Sequence, residues 1–156
     1  MKTKFLSASI LLASFLFARP SVLHAQQATH PYKEMETELL NNVNEYRKSI
    51  GARPLKLNIY VSNLAERHSR DMATGKMELG NEGYKERTDK IFTQLKPVYS
   101  FAENVGIIKL ISKEVLEAWL NNPKQKKNLE GDFNYSGIGI AKSADSFYVT
   151  EIFILK

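Results

Sequence analysis

The last third of this 156-residue chain contains two short segments that are apolar on both of their faces. They are residues 137–141 and 147–154, and the polar residues 142–146 connect them. Two such runs joined by a polar turn are typical of an antiparallel hairpin. Because a strand that is apolar on both faces must be covered on both faces, the pattern predicts a sheet between layers of helix.

Two amphipathic helices are predicted in the first half of the chain by apolar residues at spacings of three and four. The first begins near Pro31 and ends before Gly51. The second covers residues 59–74 and stops at Gly75, since glycine readily adopts the left-handed conformation that ends many helices. Each helix can bury one face against the predicted sheet.

The middle of the chain has a weaker pattern. Residues 76–100 form a long polar connection in which residues 88–92 can form a short helix. A brief strand is predicted over residues 102–107, followed by a third helix that Ser112 caps and Pro123 closes. With the hairpin, these elements predict an α+β fold, a three-layer α-β-α sandwich with a central, mainly antiparallel sheet.

The N-terminus predicts export. Lys2 and Lys4 precede an apolar run over residues 5–17, and small residues lead to Ala25. This arrangement is that of a secretory signal peptide, which is expected to occupy residues 1–25 and to leave a single domain over residues 26–156. The apolar run is shorter than the ~20 residues of a spanning helix, so no membrane span is expected. A periplasmic or extracellular bacterial protein is predicted.

The cysteine content of the chain limits how it can be stabilised, and its charge limits which partners it can bind. The chain has no cysteine, so no disulfide can stabilise it. Its net charge of +5 falls to +2 without the three basic residues of the leader, Lys2, Lys4 and Arg19. Because nucleic-acid-binding proteins usually have a strong and concentrated basic excess, no nucleic-acid partner is expected.

Short motifs in a fixed order cover almost all of the chain after the leader. They are LLNNVNEYR at residues 39–47, residues 64–65 and 71–75, AENV at 102–105, Trp119 with Pro123 and residues 128–129, GIG at 137–139, and YVTEIF at 148–153. Together they resemble the CAP superfamily of cysteine-rich secretory, antigen 5 and pathogenesis-related proteins, in a cysteine-free bacterial form. The resemblance implies the same α-β-α sandwich.

The resemblance also implies a central cavity, in which several family members hold a divalent metal with two histidines and two glutamates. Glu103 matches one of the glutamates. Leu79, Asn122 and Gln125 fall at the other three positions. Because zinc needs at least three protein ligands drawn from imidazole, thiolate and carboxylate, neither a metal nor another cofactor is expected.

Three titratable residues are candidate members of this cavity. Glu103 is either an acidic group of the cavity or a carboxylate that accepts hydrogen bonds from backbone amides of an adjoining loop. His68 shares a face with the apolar residues of the second helix, which favours a packed histidine over a lone base beside Glu103. Glu151 alternates with Phe147, Val149 and Phe153, so burial of that face would require partners or a protonated carboxyl.

Two further sets of polar residues have predicted roles, one on the first helix and one around Gln125. Asn44 and Arg47 lie one turn apart on the first helix and are predicted to form a structural polar network. Three lysines surround Gln125 within residues 124–127. They are predicted to lie in a loop at the rim of the cavity, as solvated charge or as a patch for an anionic group.

The hypothesis that follows is an exported protein that acts by binding and has no catalytic activity. The resemblance implies a lipid, a cell-envelope component or another protein as the ligand. One alternative is a protease-like or nuclease-like hydrolase that uses Glu103, with or without His68. Against this alternative, the sequence shows no nucleophile and base at a recognisable spacing. The other alternative is a structural protein of the cell envelope.

Overall fold

Five helices and four strands are present in residues 32–109 and 113–156, which are the residues that the computed structural model describes. The helices are α1 (Lys33–Ser49), α2 (Ile59–Ala73), α3 (Tyr84–Gln94), α4 (Lys113–Asn121) and α5 (Pro123–Glu130). The strands are β1 (Lys56–Leu57), β2 (Ser100–Ile108), β3 (Tyr135–Ser143) and β4 (Ser146–Leu155). The predicted leader and the predicted cap at Ser112 lie outside the described residues.

The four strands form one sheet in the order β1-β3-β4-β2. β4 pairs antiparallel with both β3 and β2, and the short β1 is parallel to β3. Helices cover both faces of this mainly antiparallel sheet, which confirms the predicted α-β-α sandwich. No helix within the described ranges is both long and apolar enough to cross a membrane.

Side chains that alternate along β2 and β4 separate into two cores. The core between the sheet and α1, α4 and α5, called the α1 face below, comprises Leu39, Val43, Leu55, Ala102, Val115, Trp119, Leu129, Phe133, Ile138, Ile140, Val149 and Phe153. The core between the sheet and α2 and α3, called the α2 face, comprises Val61, Leu64, Ala65, Ile91, Ile152 and Ile154. A residue of β4 therefore reaches one layer of helices or the other.

Helix α2 rests directly on the backbone of β3 because two positions of that strand have no side chain. A Cβ atom at Gly139 would lie 1.9 Å from the backbone nitrogen of Glu66, and one at Gly137 would lie 2.3 Å from that of Ser62. Such contacts are impossible for any residue other than glycine. The close approach brings polar side chains of α2 within hydrogen-bond distance of β4.

The prediction for the segment after Pro123 was wrong in one respect. Pro123 does end α4, but it also occupies the first turn of α5, so the lysine-rich residues 124–127 are helical. Proline suits a first helical turn because its missing N–H would have no partner there. The side chain of Asn122 caps the helix by accepting hydrogen bonds from the first free amides.

Two other elements differ from the sequence-based expectation. α3 is 11 residues long and begins at Tyr84, whereas a helix over residues 88–92 was predicted. β1 was not predicted, since its two residues are both exposed and show no alternation. The earlier start of α3 is important for the cavity, because it places Arg87 on a helix that packs against the sheet.

Candidate functional site

A cavity of about 220 Å³ lies between the start of α5, the strand β2 and the loop that precedes α3. Its lining residues are Leu79, Gly80, Asn81, Glu103, Val105, Asn122, Lys124, Gln125 and Asn128. The structure thus brings together Glu103, Leu79, Asn122 and Gln125, the four residues that the sequence assigns to the cavity by resemblance. Six of the nine lining residues have polar side chains, and four of these six are amides.

Glu103 is buried and bound on both carboxylate oxygens. Its Oε2 accepts a hydrogen bond from Arg87 Nε at 2.7 Å, and its Oε1 accepts one from Arg87 Nη2 at 2.6 Å. Asn81 Nδ2 donates a third bond to Oε1 at 2.9 Å. Neither sequence-based interpretation included these partners, because the donors are side chains of α3 and its preceding loop and not backbone amides.

Arg87 is the functional residue that sequence reasoning missed. Its side chain and that of Glu103 are 8% and 0% exposed, and the pair has the two-bond geometry that makes arginine–carboxylate contacts strong. Arg87 also donates through Nη1 to the carbonyl of Glu82 at 2.7 Å. A usable signal was its position four residues before the buried Ile91, which places a charged side chain on the inward face of a helix.

The amide nitrogens of Gln125 and Asn128 hold α5 against the exposed edge of β2. Gln125 Nε2 donates to the carbonyl of Val105 at 2.7 Å. Asn128 Nδ2 donates to the carbonyl of Glu103 at 3.2 Å and to Asn104 Oδ1 at 2.9 Å. β2 is an edge strand, so its outward carbonyls would otherwise have no partner in the sheet.

The rim of the cavity combines an apolar side chain with a helix cap. Leu79 is 52% exposed. Asn122 Oδ1 accepts hydrogen bonds from the backbone nitrogens of Lys124 and Gln125 at 3.1 and 3.3 Å. Of the three lysines in this segment, Lys124 lines the cavity. Lys124 thus adds one positive charge to the lining.

His68 lies outside the lining of this cavity and packs on the α2 face. It is 2% exposed, and its Nδ1 is 3.1 Å from Thr150 Oγ1. Ser69 Oγ donates to the carbonyl of Gly139 at 2.8 Å and lies 2.9 Å from the same Thr150 oxygen. Burial lowers the pKa of His68, and the nearby Arg87 guanidinium lowers it further. His68 is therefore a neutral, packed imidazole at neutral pH.

Glu151 also lies outside the cavity lining, on the α1 face. It is fully buried, and its Oε1 accepts a hydrogen bond from Ser136 Oγ at 2.7 Å. Its Oε2 has no hydrogen-bond partner among the described residues. Burial raises the pKa of Glu151 to about 8, while the Ser136 hydroxyl and the Arg47 guanidinium oppose this rise less strongly.

The expectation that His68 and Glu151 belong to the cavity lining is corrected here. Glu151 is opposite Asn104 in the β2·β4 register, whereas Glu103 is opposite Ile152. Because directly opposed residues share a face and neighbours along a strand alternate, Glu103 and Glu151 point to opposite sides of the sheet. His68 is on the same side as Glu103, but its ring nitrogen faces Thr150 of β4.

Asn44 and Arg47 join α1 to distant backbone. Asn44 accepts from the amide of Leu55 at 2.7 Å and donates to its carbonyl at 3.0 Å. Arg47 is fully buried, and its guanidinium donates to four carbonyls. These belong to Arg53, Leu129, Gly131 and Phe133. Both side chains thus satisfy backbone groups of connecting segments and are away from the cavity lining.

The donor set of the cavity does not fit a divalent metal. Both oxygens of Glu103 are held by Arg87, and the other resemblance positions offer two amides and a leucine. Within the described ranges, no group of three or more His, Cys, Asp or Glu side chains is placed to hold an ion. Zinc requires nitrogen, sulfur or carboxylate ligands, and calcium requires six to eight oxygens, usually with several carboxylates.

Comparison with known sequences gives one match. A model of the cysteine-rich secretory protein family, CAP, matches residues 40–155. No curated protein matches the chain at a significant level. The matched range includes the whole cavity and all four strands.

Solved structures with the same architecture come from three bacteria. An outer surface protein from Borrelia burgdorferi has a TM-score of 0.69 at 18% identity, covering 80% of this chain and 95% of that one. An extracellular protein with an SCP domain from Bacillus anthracis has a TM-score of 0.64 at 23% identity, covering 80% and 41%. A cysteine-rich secretory protein from Staphylococcus aureus has a TM-score of 0.62 at 22% identity, covering 80% and 39%. The matched region is about two fifths of the latter two chains, and the likeness shows the fold alone.

Proposed function

Because the chain belongs to the cysteine-rich secretory protein family, we propose that it is an exported binding protein whose cavity holds a ligand without transforming it. Export is supported by the leader-like composition of residues 1–25. It is also supported by the neighbours, since the Bacillus anthracis protein is described as extracellular and the Borrelia burgdorferi protein as an outer surface protein.

The observation that carries this proposal is the pairing of Glu103. A general acid or base must exchange a proton with a substrate within hydrogen-bond distance. Glu103 is the acid of the cavity lining, and Arg87 binds both of its oxygens. To act on a substrate, the carboxylate would have to leave a buried guanidinium without its partner, which costs several kcal/mol.

The rest of the lining offers no replacement for this group. Among the residues that line the cavity there is no serine, threonine, cysteine or histidine. The nearest alternative, His68, has Nδ1 directed at Thr150, and Ser69 directs its hydroxyl at the same oxygen. The hydrolase alternative therefore lacks both an activated nucleophile and a positioned base.

The size of the cavity limits the ligand. At about 220 Å³ the cavity is smaller than the ~300–1,000 Å³ of sites that enclose a drug-sized molecule. Six of its nine lining residues have polar side chains. A lipid, an envelope component or a protein would therefore place one polar end group in the cavity and leave the remainder outside.

Native mass spectrometry of the protein purified from its own host tests the proposal. We expect a co-purifying ligand that is lost in the Gln125→Trp variant, whose indole fills the cavity. The matched control is Gln94→Trp, at an exposed position of α3. Retention of the ligand by Gln125→Trp would place binding elsewhere and favour a structural role for the surface.

Assays on the same protein separate binding from catalysis. Calorimetry with zinc, calcium and magnesium is expected to show no submicromolar site. Peptide and nucleic-acid panels are expected to show no hydrolysis. Hydrolysis that disappears in Glu103→Gln or in His68→Ala, with folding checked by circular dichroism, would establish the enzyme alternative instead.

A further inference from the structure

Four amide side chains surround the cavity, and their orientations follow from their partners. Asn81, Gln125 and Asn128 each direct the side-chain nitrogen at an oxygen that can only accept a hydrogen bond. These oxygens are the Glu103 carboxylate, the Val105 carbonyl and the Glu103 carbonyl. Because an amide nitrogen must face an acceptor, the nitrogen and oxygen of each side chain cannot be exchanged.

The amide oxygens of these three residues are therefore the groups left for a ligand. None of the described residues donates a hydrogen bond to Asn81 Oδ1, Gln125 Oε1 or Asn128 Oδ1. These three oxygens are also not among the buried polar atoms that lack a partner. In a planar amide the C=O and C–N bonds diverge from one carbon, so each oxygen is directed away from the acceptor that holds the nitrogen. The cavity thus presents a group of hydrogen-bond acceptors.

Asn122 has the opposite orientation. Its oxygen caps α5 by accepting from the amides of Lys124 and Gln125, which leaves its nitrogen as a free donor. A ligand group that donates several hydrogen bonds and accepts one or two would match this set. Hydroxyl groups and carboxamides have this combination, whereas a carboxylate or phosphate only accepts in its ionised form.

The charges around the cavity favour a neutral ligand. The carboxylate of Glu103 is neutralised by Arg87, so an ammonium group would find no free counter-ion there. Lys124 supplies one positive charge, but on a flexible and strongly hydrated side chain. An anion would meet that single lysine and three amide oxygens, whose partial charges repel it.

Building on the proposed binding function, we infer that the cavity selects an uncharged end group rich in hydroxyl or amide N–H donors. Such a group is found on a sugar ring and on a carboxamide, and the volume of about 220 Å³ suits one ring or one short amide. The lysines of α5 are then a solvated rim, and the amide oxygens of Asn81, Gln125 and Asn128 determine selectivity.

Isosteric pairs of small probes test this inference. Acetamide and acetate have nearly the same shape, as do glucose and glucuronate, and in each pair the second member is an anion. Binding is followed in the ¹⁵N-labelled protein by the side-chain amide signals of Asn81, Gln125 and Asn128, with inorganic phosphate and methylammonium as further charged probes. We expect each neutral probe to bind about tenfold more tightly than its charged partner, a difference of ~1.4 kcal/mol.

Two variants assign the effect to the cavity. Gln125→Met removes one acceptor with little change in side-chain length, and is expected to abolish the preference of the cavity for acetamide over acetate. Gln94→Met, at the exposed end of α3, is expected to leave it unchanged. Tighter binding of glucose than of acetamide indicates that the matching group is a hydroxyl. Tighter binding of acetamide indicates a carboxamide.

The possible outcomes separate this inference from the proposed function. Tighter binding of acetate, glucuronate, phosphate or methylammonium at these signals would overturn the inference and leave a binding cavity intact. No shift of any lining signal with any probe would overturn both. Hydrolysis of a substrate by a protein that still prefers neutral probes would overturn the proposed function alone.

Discussion

Two buried glutamates on neighbouring strands of the sheet differ in their partners. Glu103 on β2 faces the cavity side and receives three side-chain hydrogen bonds, two of them from Arg87. Glu151 on β4 faces the α1 core and receives one bond, from Ser136. The nearest cation to Glu151 is Arg47, whose donors are directed at backbone carbonyls.

The two carboxyl groups are both buried, but among the described residues only Glu103 is paired with a cation. Glu103 and Glu151 have residue exposures of 6% and 0%, and Glu103 also lines the cavity. Burial of a carboxyl group that has no paired cation favours its neutral form. Accordingly burial raises the pKa of Glu151 to about 8, so this group is mostly protonated at neutral pH.

This contrast has a consequence for chemistry. The carboxylate that reaches the cavity is held by Arg87, and the carboxyl that can exchange a proton near neutral pH is sealed inside the α1 core. A catalytic acid needs both access and an exchangeable proton. Because the two properties are on opposite faces of the sheet, the arrangement supports binding better than catalysis.

The largest expected effect on stability comes from removing the cation that pairs with Glu103. Arg87→Met leaves the Glu103 carboxylate buried without its partner, and is expected to lower the free energy of unfolding by about 3–5 kcal/mol. Urea unfolding followed by circular dichroism measures this loss. The control Lys85→Met removes a cation of the same helix whose side chain is 87% exposed, with an expected change within about 0.5 kcal/mol.

A second substitution tests whether that loss comes from the unpaired charge. In the double variant Arg87→Met, Glu103→Leu, both members of the pair become apolar, and most of the stability is expected to return. A double variant that is less stable than Arg87→Met alone would show that the two residues contribute independently, and the contrast with Glu151 would then be lost.

The next largest effect is the pH dependence of stability that is due to Glu151. Between pH values of about 4.5 and 8 the folded protein keeps the Glu151 proton that the unfolded chain has lost, so raising the pH favours unfolding. The stability due to this group is fully present below the unfolded pKa and is lost as the pH rises through about 8. From pH 5.5 to 7.5 this contribution is expected to fall by about 2–3 kcal/mol.

The difference between wild type and Glu151→Gln in urea unfolding isolates this contribution. His68, whose lowered pKa acts in the opposite direction, is present in both proteins and cancels. The exposed residue Glu114, changed to Gln, serves as the control and is expected to follow the wild-type curve. Parallel curves for wild type and Glu151→Gln would mean that Glu151 is ionised in the folded protein.

The smallest effect is expected from removing the hydrogen bond that Ser136 donates to Glu151. Ser136→Ala removes the hydroxyl that opposes the pKa rise of Glu151, so the midpoint is expected to move further above 8. The accompanying loss of stability is expected to be about 0.5–1.5 kcal/mol. ¹³C NMR titration of the Glu151 carboxyl measures the midpoint, with the exposed Ser49→Ala as the control. A downward shift would contradict the assigned role of Ser136.

The two sides also differ in how far the sequence predicted them. Alternation along residues 147–154 placed Glu151 among Phe147, Val149 and Phe153, and the structure buries that face with these residues on it. The argument needed only the two-residue period of a strand and the absence of an obvious partner. For Glu151 the local sequence therefore contained most of the physics.

Glu103 was different because its partner comes from another element. Arg87 is 16 residues away on another element, and its position four residues before Ile91 indicates an inward side chain but not the group that it meets. The bond from Asn81 likewise depends on the path of the loop before that helix. No local pattern states which cation will meet a given carboxylate after folding.

By itself, the sequence determined the layered fold, since strands that are apolar on both faces require helices on both sides, and its resemblance to the family indicated four of the residues that line the cavity. Only the tertiary structure decided that Glu103 is bound by Arg87, that His68 and Glu151 point away from the cavity, and that amide oxygens are left for a ligand. Periodicity is a local property of the chain. Charge pairing and hydrogen-bond orientation depend on contacts between residues that folding brings together from different elements.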